Sequence, residues 1–406
     1  MHLRGFSAID RYLGREALPF IFVDTGAGLS DLARYVEGLR FPGAALAGAG
    51  AESGGWTWYF HCLDADEPSS DAPLPAGGSF DVLDFYQDWK TGRFRDPRGV
   101  YPWLRNLLDR DRGNRTGTTA RHTGSGRKEK DGTAPEFFPW WEGTKAGAER
   151  RRVLLEGALI LSRYCGDEYQ PRLIEKIAGL FGHLPDGPPP REEEQRLFLT
   201  GILCSPNPGL GLDLLKAAGF AGEFWPELAA LDGVDHSKEF HPEGNVWKHT
   251  METFRYRKPA ANGRTSYDLV LSLGLLLHDT GKALAATEGN RRFSGHAELG
   301  ARAARRFLER LGFEPALTGA VCYLVRNHMI PAALPRLPLK RVEEVIMSPL
   351  FPALLELYRC DESSSFKGLD GYYESSATYQ SYLKYRQNPY RLADGKKMGR
   401  KELPGR

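Results

Sequence analysis

Residues 275–307, LLLHDTGKALAATEGNRRFSGHAELGARAARRF, place a His-Asp pair at the end of an apolar run and a second histidine, His296, seventeen positions after the aspartate. A single His-Asp pair fits a helix turning toward solvent as well as it fits ligands carried into a pocket. Partners elsewhere in the chain decide between the two.

Six of the ten histidines lie between positions 236 and 328. Four of them end or interrupt helical segments: His249 in NVWKHT, His278 in LLLHDT, His296 in SGHAEL and His328 in LVRNHM. Asp279 and Asp361, the latter in LYRCDESS, complete a set of imidazoles and carboxylates with no cysteine in it. Such donors suit one or two Mn, Fe, Ni, Co, Mg or Zn ions in a catalytic rather than a structural site. Adjacent residues on a helix project about 100° apart, so His278 and Asp279 cannot share one direction but can straddle an ion. A carboxylate placed that way suits a bridge between two ions roughly 3.5–4 Å apart, which activate water and neutralise phosphoryl charge.

The chain around this set has 406 residues, enough for several domains with sizeable cores. Apolar residues make up 41% and charged ones 26%, and the net charge of +2 points to neither a nucleic-acid nor a membrane partner. Cys62, Cys165, Cys204, Cys322 and Cys360 are scattered singly, which fits reduced thiols and a cytoplasmic location. The N-terminus lacks a signal-peptide core, and the longest apolar run, LVLSLGLLL at 269–277, is half a membrane span, so neither export nor membrane insertion is expected.

Residues 1–104 alternate short β-like runs (FIFVD, WTWYFHCL, FDVLDFY) with a helical stretch around SDLARYVEGL and read as an α+β domain. Within it FYQDWKTGRFRDPRGVYP predicts a strand, a turn at Lys90–Gly92 and a second strand, closed by the loop signal Asp96-Pro97-Arg98-Gly99. Residues 105–148 are charged, rich in Gly and Thr and poor in apolar side chains, which predicts a disordered basic linker. From 149 to 235 RRVLLEGALILSRY, PRLIEKIAGLFGHL and REEEQRLFLTGIL show helical spacing, and CSPNPGLGLDLLKAAGF restarts a helix after a Pro/Gly break. The helical pattern continues over 236–385, and 386–406 is a basic, Gly-rich tail. The expected fold is an α+β N-terminal domain followed by an all-α neck and a helical bundle.

The order H…HDxGK…GH…H…D resembles the HD superfamily of metal-dependent phosphohydrolases. More pointedly, EEEQRLFLTGILCSPNPGLGLDLLKAAGFAGEFWPELAALDGVDHSKEFHPEGNVWKHT, HDTGK, FSGHAELGA and LVRNHM resemble, in order, the neck and HD region of bacterial tRNA nucleotidyltransferases, over roughly 150–385. The resemblance implies His249, His278, Asp279 and Asp361 on one metal, with Asp279 bridging to a second held by His296 and His328. It implies that Lys282 faces a substrate phosphate, and it leaves His241 and Glu243 as outer partners.

The same family opens with a Gly-Gly turn, a helix with an Arg-Asp pair, and a strand with two Mg²⁺-binding aspartates. Here Gly54-Gly55 and Asp64-Ala65-Asp66 enclose only WTWYFHCL, which leaves no room for that helix, and Asp81 and Asp84 on FDVLDF fall on opposite strand faces. A degenerate nucleotidyltransferase-like head is expected. The leading expectation is a divalent-metal phosphohydrolase acting on a nucleotide or RNA 3′-end phosphoester by metal-activated water. In it Asp279 and Lys282 are catalytic, and Lys282 and Arg326 bind substrate. A divergent tRNA nucleotidyltransferase and a non-catalytic RNA-binding protein are the alternatives.

Overall fold

A computed structural model describes residues 1–41, 48–62, 85–96, 147–165, 174–175, 177–179, 189–235, 244–258, 268–287, 293–365 and 368–387. The chain divides into two compact units, Met1–Phe224 with Pro259–Asp268, and Trp225–Lys258 with Leu269–Arg406. The N-terminal sheet and the helices read as a neck therefore share one unit, and the second begins upstream of the expected position 236.

The first unit holds a mixed six-stranded sheet in the order β3-β4-β2-β1-β5-β6. Its strands are β1 (His2–Arg4), β2 (Phe20–Asp24), β3 (Ala49–Ser53), β4 (Trp56–His61), β5 (Tyr86–Asp88) and β6 (Phe94–Arg95). β2 and β4 pair in parallel and every other neighbour is antiparallel. Gly54 and Gly55 form the two-residue turn between β3 and β4 with φ of +62° and +81°. Two positive φ values are what a tight hairpin turn asks of its central pair. No helix intervenes there, in keeping with the spacing in the sequence.

Two local expectations need correction. The helical stretch expected around SDLARYVEGL is a single turn, Leu29–Leu32, because Leu32 alone of that turn is buried and one docked side chain cannot hold a longer helix. Conversely, α1 (Gly5–Tyr12) was not legible, and it docks through Phe6, Ala8 and Ile9 with Ser7 Oγ accepting from Phe22 N at 3.1 Å. The expected hairpin is present as β5 and β6, while Pro97, Arg98 and Gly99 lie outside the described residues. The expected linker also lies outside them apart from its last two positions, as does the tail from 388.

Helices α2 (Gly147–Tyr164), α3 (Glu192–Leu203) and α4 (Pro208–Ala217) follow the expected periodicity, and α3 opens with three glutamates that favour its N-terminal end. α1 and α2 are tied by a buried ion pair in which Arg163 Nε and one terminal nitrogen donate to the two Asp10 oxygens at 2.7 and 2.8 Å. Tyr164 Oη donates to the same carboxylate at 2.8 Å.

The second unit is helical: α5 (Val246–Thr253), α6 (Leu269–Leu277), α7 (Thr280–Thr287), α8 (His296–Arg310), α9 (Pro315–Asn327), α10 (Leu339–Ile346), α11 (Phe351–Ser363) and α12 (Asp370–Gln387). Among its described residues the one β feature is a bridge between Asp235 and Asn245. α6 is buried from Leu271 to Leu277 and packs on α9 and α11. The run Leu269–Ala286 is apolar enough in composition to cross a membrane, yet 67% of it is buried inside the protein, where it serves as the core. α8 buries Ala301, Ala304, Phe307 and Leu308 and turns its arginines outward, as an amphipathic helix does.

Candidate metal centre

Each ligand type sits where a helix begins or ends. Asn245 caps α5 by accepting from Lys248 N at 2.9 Å, and His249 follows one turn in, buried beside Trp247 and Thr250. His278 and Asp279 form the turn between α6 and α7. Gly281 then lets α7 lie directly on α8: a Cβ there would stand 1.9 Å from the His296 carbonyl oxygen. His296 is the first residue of α8, His328 closes α9, and Asp361 lies in the last turn of α11.

All six side chains converge. His249 Nε2 lies 2.9 Å from Asp361 Oδ1, and His278 Nε2 lies 4.0 Å from the same oxygen and 3.3 Å from Asp279 Oδ2. The other Asp279 oxygen faces His296 Nε2 at 3.7 Å and His328 Nε2 at 3.9 Å, and those two nitrogens are 3.0 Å apart. Two donor groups result, His249-His278-Asp279 and Asp279-His296-His328, each with its ligand atoms within 4.8 Å of one another. Asp279 belongs to both.

The hydrogen bonds explain why the imidazoles point inward. His278, His296 and His328 each direct Nδ1 at the carbonyl three residues back, to Leu275 at 2.8 Å, Phe293 at 2.9 Å and Val325 at 2.7 Å. A carbonyl only accepts, so Nδ1 of each ring carries a proton and Nε2 is the nitrogen turned toward the cluster. For His296 the backbone is bent to this end: Phe293, at φ +51°, is the one non-glycine in the left-handed region among the described residues. Such a conformation costs about 1–3 kcal/mol and persists where the surroundings enforce it.

This arrangement fits a cation. The lone pairs of His296 and His328 confront each other at 3.0 Å, which requires a positive charge between them. Burial opposes supplying it as a proton, since it pushes His328 down to about 4 and lowers His296 as well. Adjacent donors around one ion bonded at about 2.1 Å stand roughly 3–3.4 Å apart; His296 and His328 stand at 3.0 Å, with Asp279 at 3.7 and 3.9 Å from them. Burial alone would raise the carboxyls, but His278 and Lys282 outweigh it at Asp279 and hold it well below the ordinary range. At Asp361 the hydrogen bond and charge of His249, with His278, do the same. Both acids are anionic, as ligands must be.

Lys282 does not stand free to face a substrate: its Nζ donates to Asp279 Oδ2 at 2.7 Å. Arg326 is held on the surface by Glu298 through contacts of 2.7 and 3.2 Å. His241, Glu243, Asp64, Asp66, Asp81 and Asp84 lie outside the described residues. Ser364 carries no sequence signal, yet its Oγ donates to the Asp361 carbonyl at 2.6 Å and lies 3.3 Å from His249 Nδ1. The orienting carbonyls are equally silent in sequence, because any residue supplies one.

The helical scaffold and its His/Asp cluster define the class: residues 246–349 match the HD domain family, and the chain carries an HD domain there. Asp361 lies beyond that stretch. Over the HD region the chain is similar to several known enzymes. It is 35% identical over 127 residues to a multifunctional CCA protein of Halorhodospira halophila, covering 31% of this chain and 29% of that one. It is 35% identical over 147 residues to a CC-adding tRNA nucleotidyltransferase of Thermus thermophilus, covering 34% and 32%. With a bifunctional uridylyltransferase/uridylyl-removing enzyme of Phenylobacterium zucineum it shares 30% over 149 residues, covering 33% and 15%. The matches thus span less than a third of the length of these relatives.

Proposed function

We propose that the HD domain is a divalent-metal-dependent phosphohydrolase acting on a phosphoester of a nucleotide or an RNA 3′ end. The observation that carries this reading is the division of Asp279, one oxygen toward His278 and the other toward His296 and His328. When bound, divalent ions supply Lewis acidity at a phosphoryl oxygen and a water of lowered pKa. The protein's own part is orientation and exclusion of solvent. The imidazoles of His278, His296 and His328 are held by backbone carbonyls in the protein interior, and the less buried side of the cluster is lined by Asp361, Lys282 and His296. Lys282 is assigned to the phosphate, since its partner carboxylate loses negative charge to any bound cation. Arg326 would have to leave Glu298 to share that role.

The experiment is hydrolysis of a panel of phosphomonoesters and 2′,3′-cyclic nucleotides with Mn, Ni, Co or Mg, comparing wild type with Asp279→Ala. Removing the shared carboxylate is expected to abolish metal binding and turnover while helicity is retained. A variant that hydrolyses at the wild-type rate with metal still required sinks the assignment. The name of the Phenylobacterium relative, which couples uridylyl transfer with uridylyl removal, supports phosphoester opening.

The names of the other two relatives favour a second reading, nucleotide addition to a tRNA 3′ end. Its metal-binding carboxylates would be Asp64 and Asp66. Template-independent incorporation of labelled CTP or ATP into tRNA lacking its 3′ end, lost in an Asp64→Ala, Asp66→Ala double variant, would place that activity first.

A further inference from the structure

Three of the four candidate histidine ligands are aimed by the same device, a backbone carbonyl three residues back that accepts from Nδ1. His249 is held differently. Its Nδ1 meets a side chain, Ser364 Oγ at 3.3 Å, from 115 positions along the chain. Ser364 is 8% exposed and caps the C-terminal end of α11, whose last turn carries Asp361. Glu362-Ser363-Ser364-Ser365 sets three hydroxyls in a row there, so composition alone does not single one out. Ser363 Oγ donates back to the Arg359 carbonyl at 2.7 Å and Ser365 Oγ to the Glu362 carbonyl at 2.9 Å, a bond serines commonly make at helix ends. Ser364 makes the same kind of bond, but one residue further on, about 100° round the helix, its oxygen is also turned toward His249.

A serine hydroxyl has one hydrogen and two lone pairs. The Ser364 hydrogen goes to the Asp361 carbonyl at 2.6 Å, the shorter of its two contacts, so Oγ offers His249 a lone pair. Nδ1 meets a lone pair as N–H. The other ring nitrogen, Nε2, faces Asp361 Oδ1 at 2.9 Å, and a cation held by both groups takes the place of any Nε2 proton. The ring then keeps a single hydrogen, on Nδ1, and Ser364 is placed to accept it. One hydroxyl thus touches two ligand residues from separate helices, the backbone of Asp361 and the ring of His249.

We propose that Ser364 is a positioning residue for the metal centre: by accepting from His249 Nδ1 it holds that ring in the tautomer and rotation that present Nε2 beside Asp361. The proposal rests on the metal reading of the site and extends it to a residue beyond the stretch that matches the HD family. The test is calorimetric titration of the full chain with Ni²⁺, in wild type, Ser364→Ala, Ser364→Thr and Ser363→Ala, beside ¹⁵N-histidine NMR of the Zn²⁺-loaded protein with the His249 signals assigned by their absence in His249→Gln. Ser364→Ala is expected to weaken ion binding roughly tenfold, the lower end of what loss of a ligand's orienting partner costs. Ser364→Thr keeps the oxygen and should restore most of the affinity, and Ser363→Ala should leave it unchanged. The His249 Nδ1 proton should be protected from exchange in wild type and in Ser364→Thr and lost to exchange in Ser364→Ala, a signature that a purely structural role for the serine would not produce. Equal affinity in Ser364→Ala and wild type overturns the proposal and leaves the metal centre standing, whereas a wild type that binds no ion removes the metal reading and the positioning role with it. A wild-type His249 that coordinates through Nδ1, or whose Nδ1 proton exchanges freely, overturns the proposal even if Ser364→Ala fails to fold.

Discussion

Protonation of the buried histidines sets how the metal-free HD domain responds to acid. Burial lowers His296 and pushes His328 down to about 4, whereas in the unfolded chain both titrate near their ordinary value of about 6.5. Between those limits the unfolded state binds more protons, so folding stability is full above pH ~6.5 and falls as pH drops toward ~4. His328 alone accounts for about 3 kcal/mol across the window. Thermal unfolding in EDTA at several pH values should show the loss, and His328→Gln should flatten it. These histidines were legible in the sequence because their residue types arrive in a recognisable order. Ser364 and the carbonyls of Leu275, Phe293 and Val325 were not, because what they contribute is position.

Between elements, the close approach of α7 and α8 is the contact that brings Asp279 to His296. Gly281 and Gly300 meet there, and a Cβ on Gly281 would overlap the His296 carbonyl and crowd Gly300 N. Backbone cannot yield as a flexible side chain does, so Gly281→Ala should destabilise the domain by about 1–3 kcal/mol or more, read by urea unfolding. The same variant should weaken metal binding, because any separation of the two helices parts Asp279 from His296. The glycine of HDTGK was visible as part of a motif, but its reason lies in a neighbour fifteen to nineteen residues away. SDLARYVEGL shows the converse, since its local pattern outran the apolar surface available to dock it.

For the molecule as a whole, the proposed metal site would link ion binding to stability. An ion that binds only the folded state adds about 2.7 kcal/mol at a hundredfold excess over its Kd. Titrating Mn, Ni, Co or Mg should therefore raise the HD unit's unfolding temperature in wild type and leave Asp279→Ala unmoved. In the other unit, Arg163→Met strands the buried Asp10 carboxylate and should cost about 3–5 kcal/mol in denaturant unfolding. An Asp10→Asn, Arg163→Met pair should recover part of that loss. The sequence by itself determined the succession of a sheet-bearing N-terminal region and a helical remainder, and the order of the candidate ligand types, because periodicity and residue chemistry are local. Only the tertiary structure decided that Asp361, on a separate helix, meets His249 at 2.9 Å, that Asp279 divides its oxygens between two groups, and that Lys282 and Arg326 are held by carboxylates. Those outcomes depend on how closely helices cross and which charges come within reach, and packing between distant segments sets both.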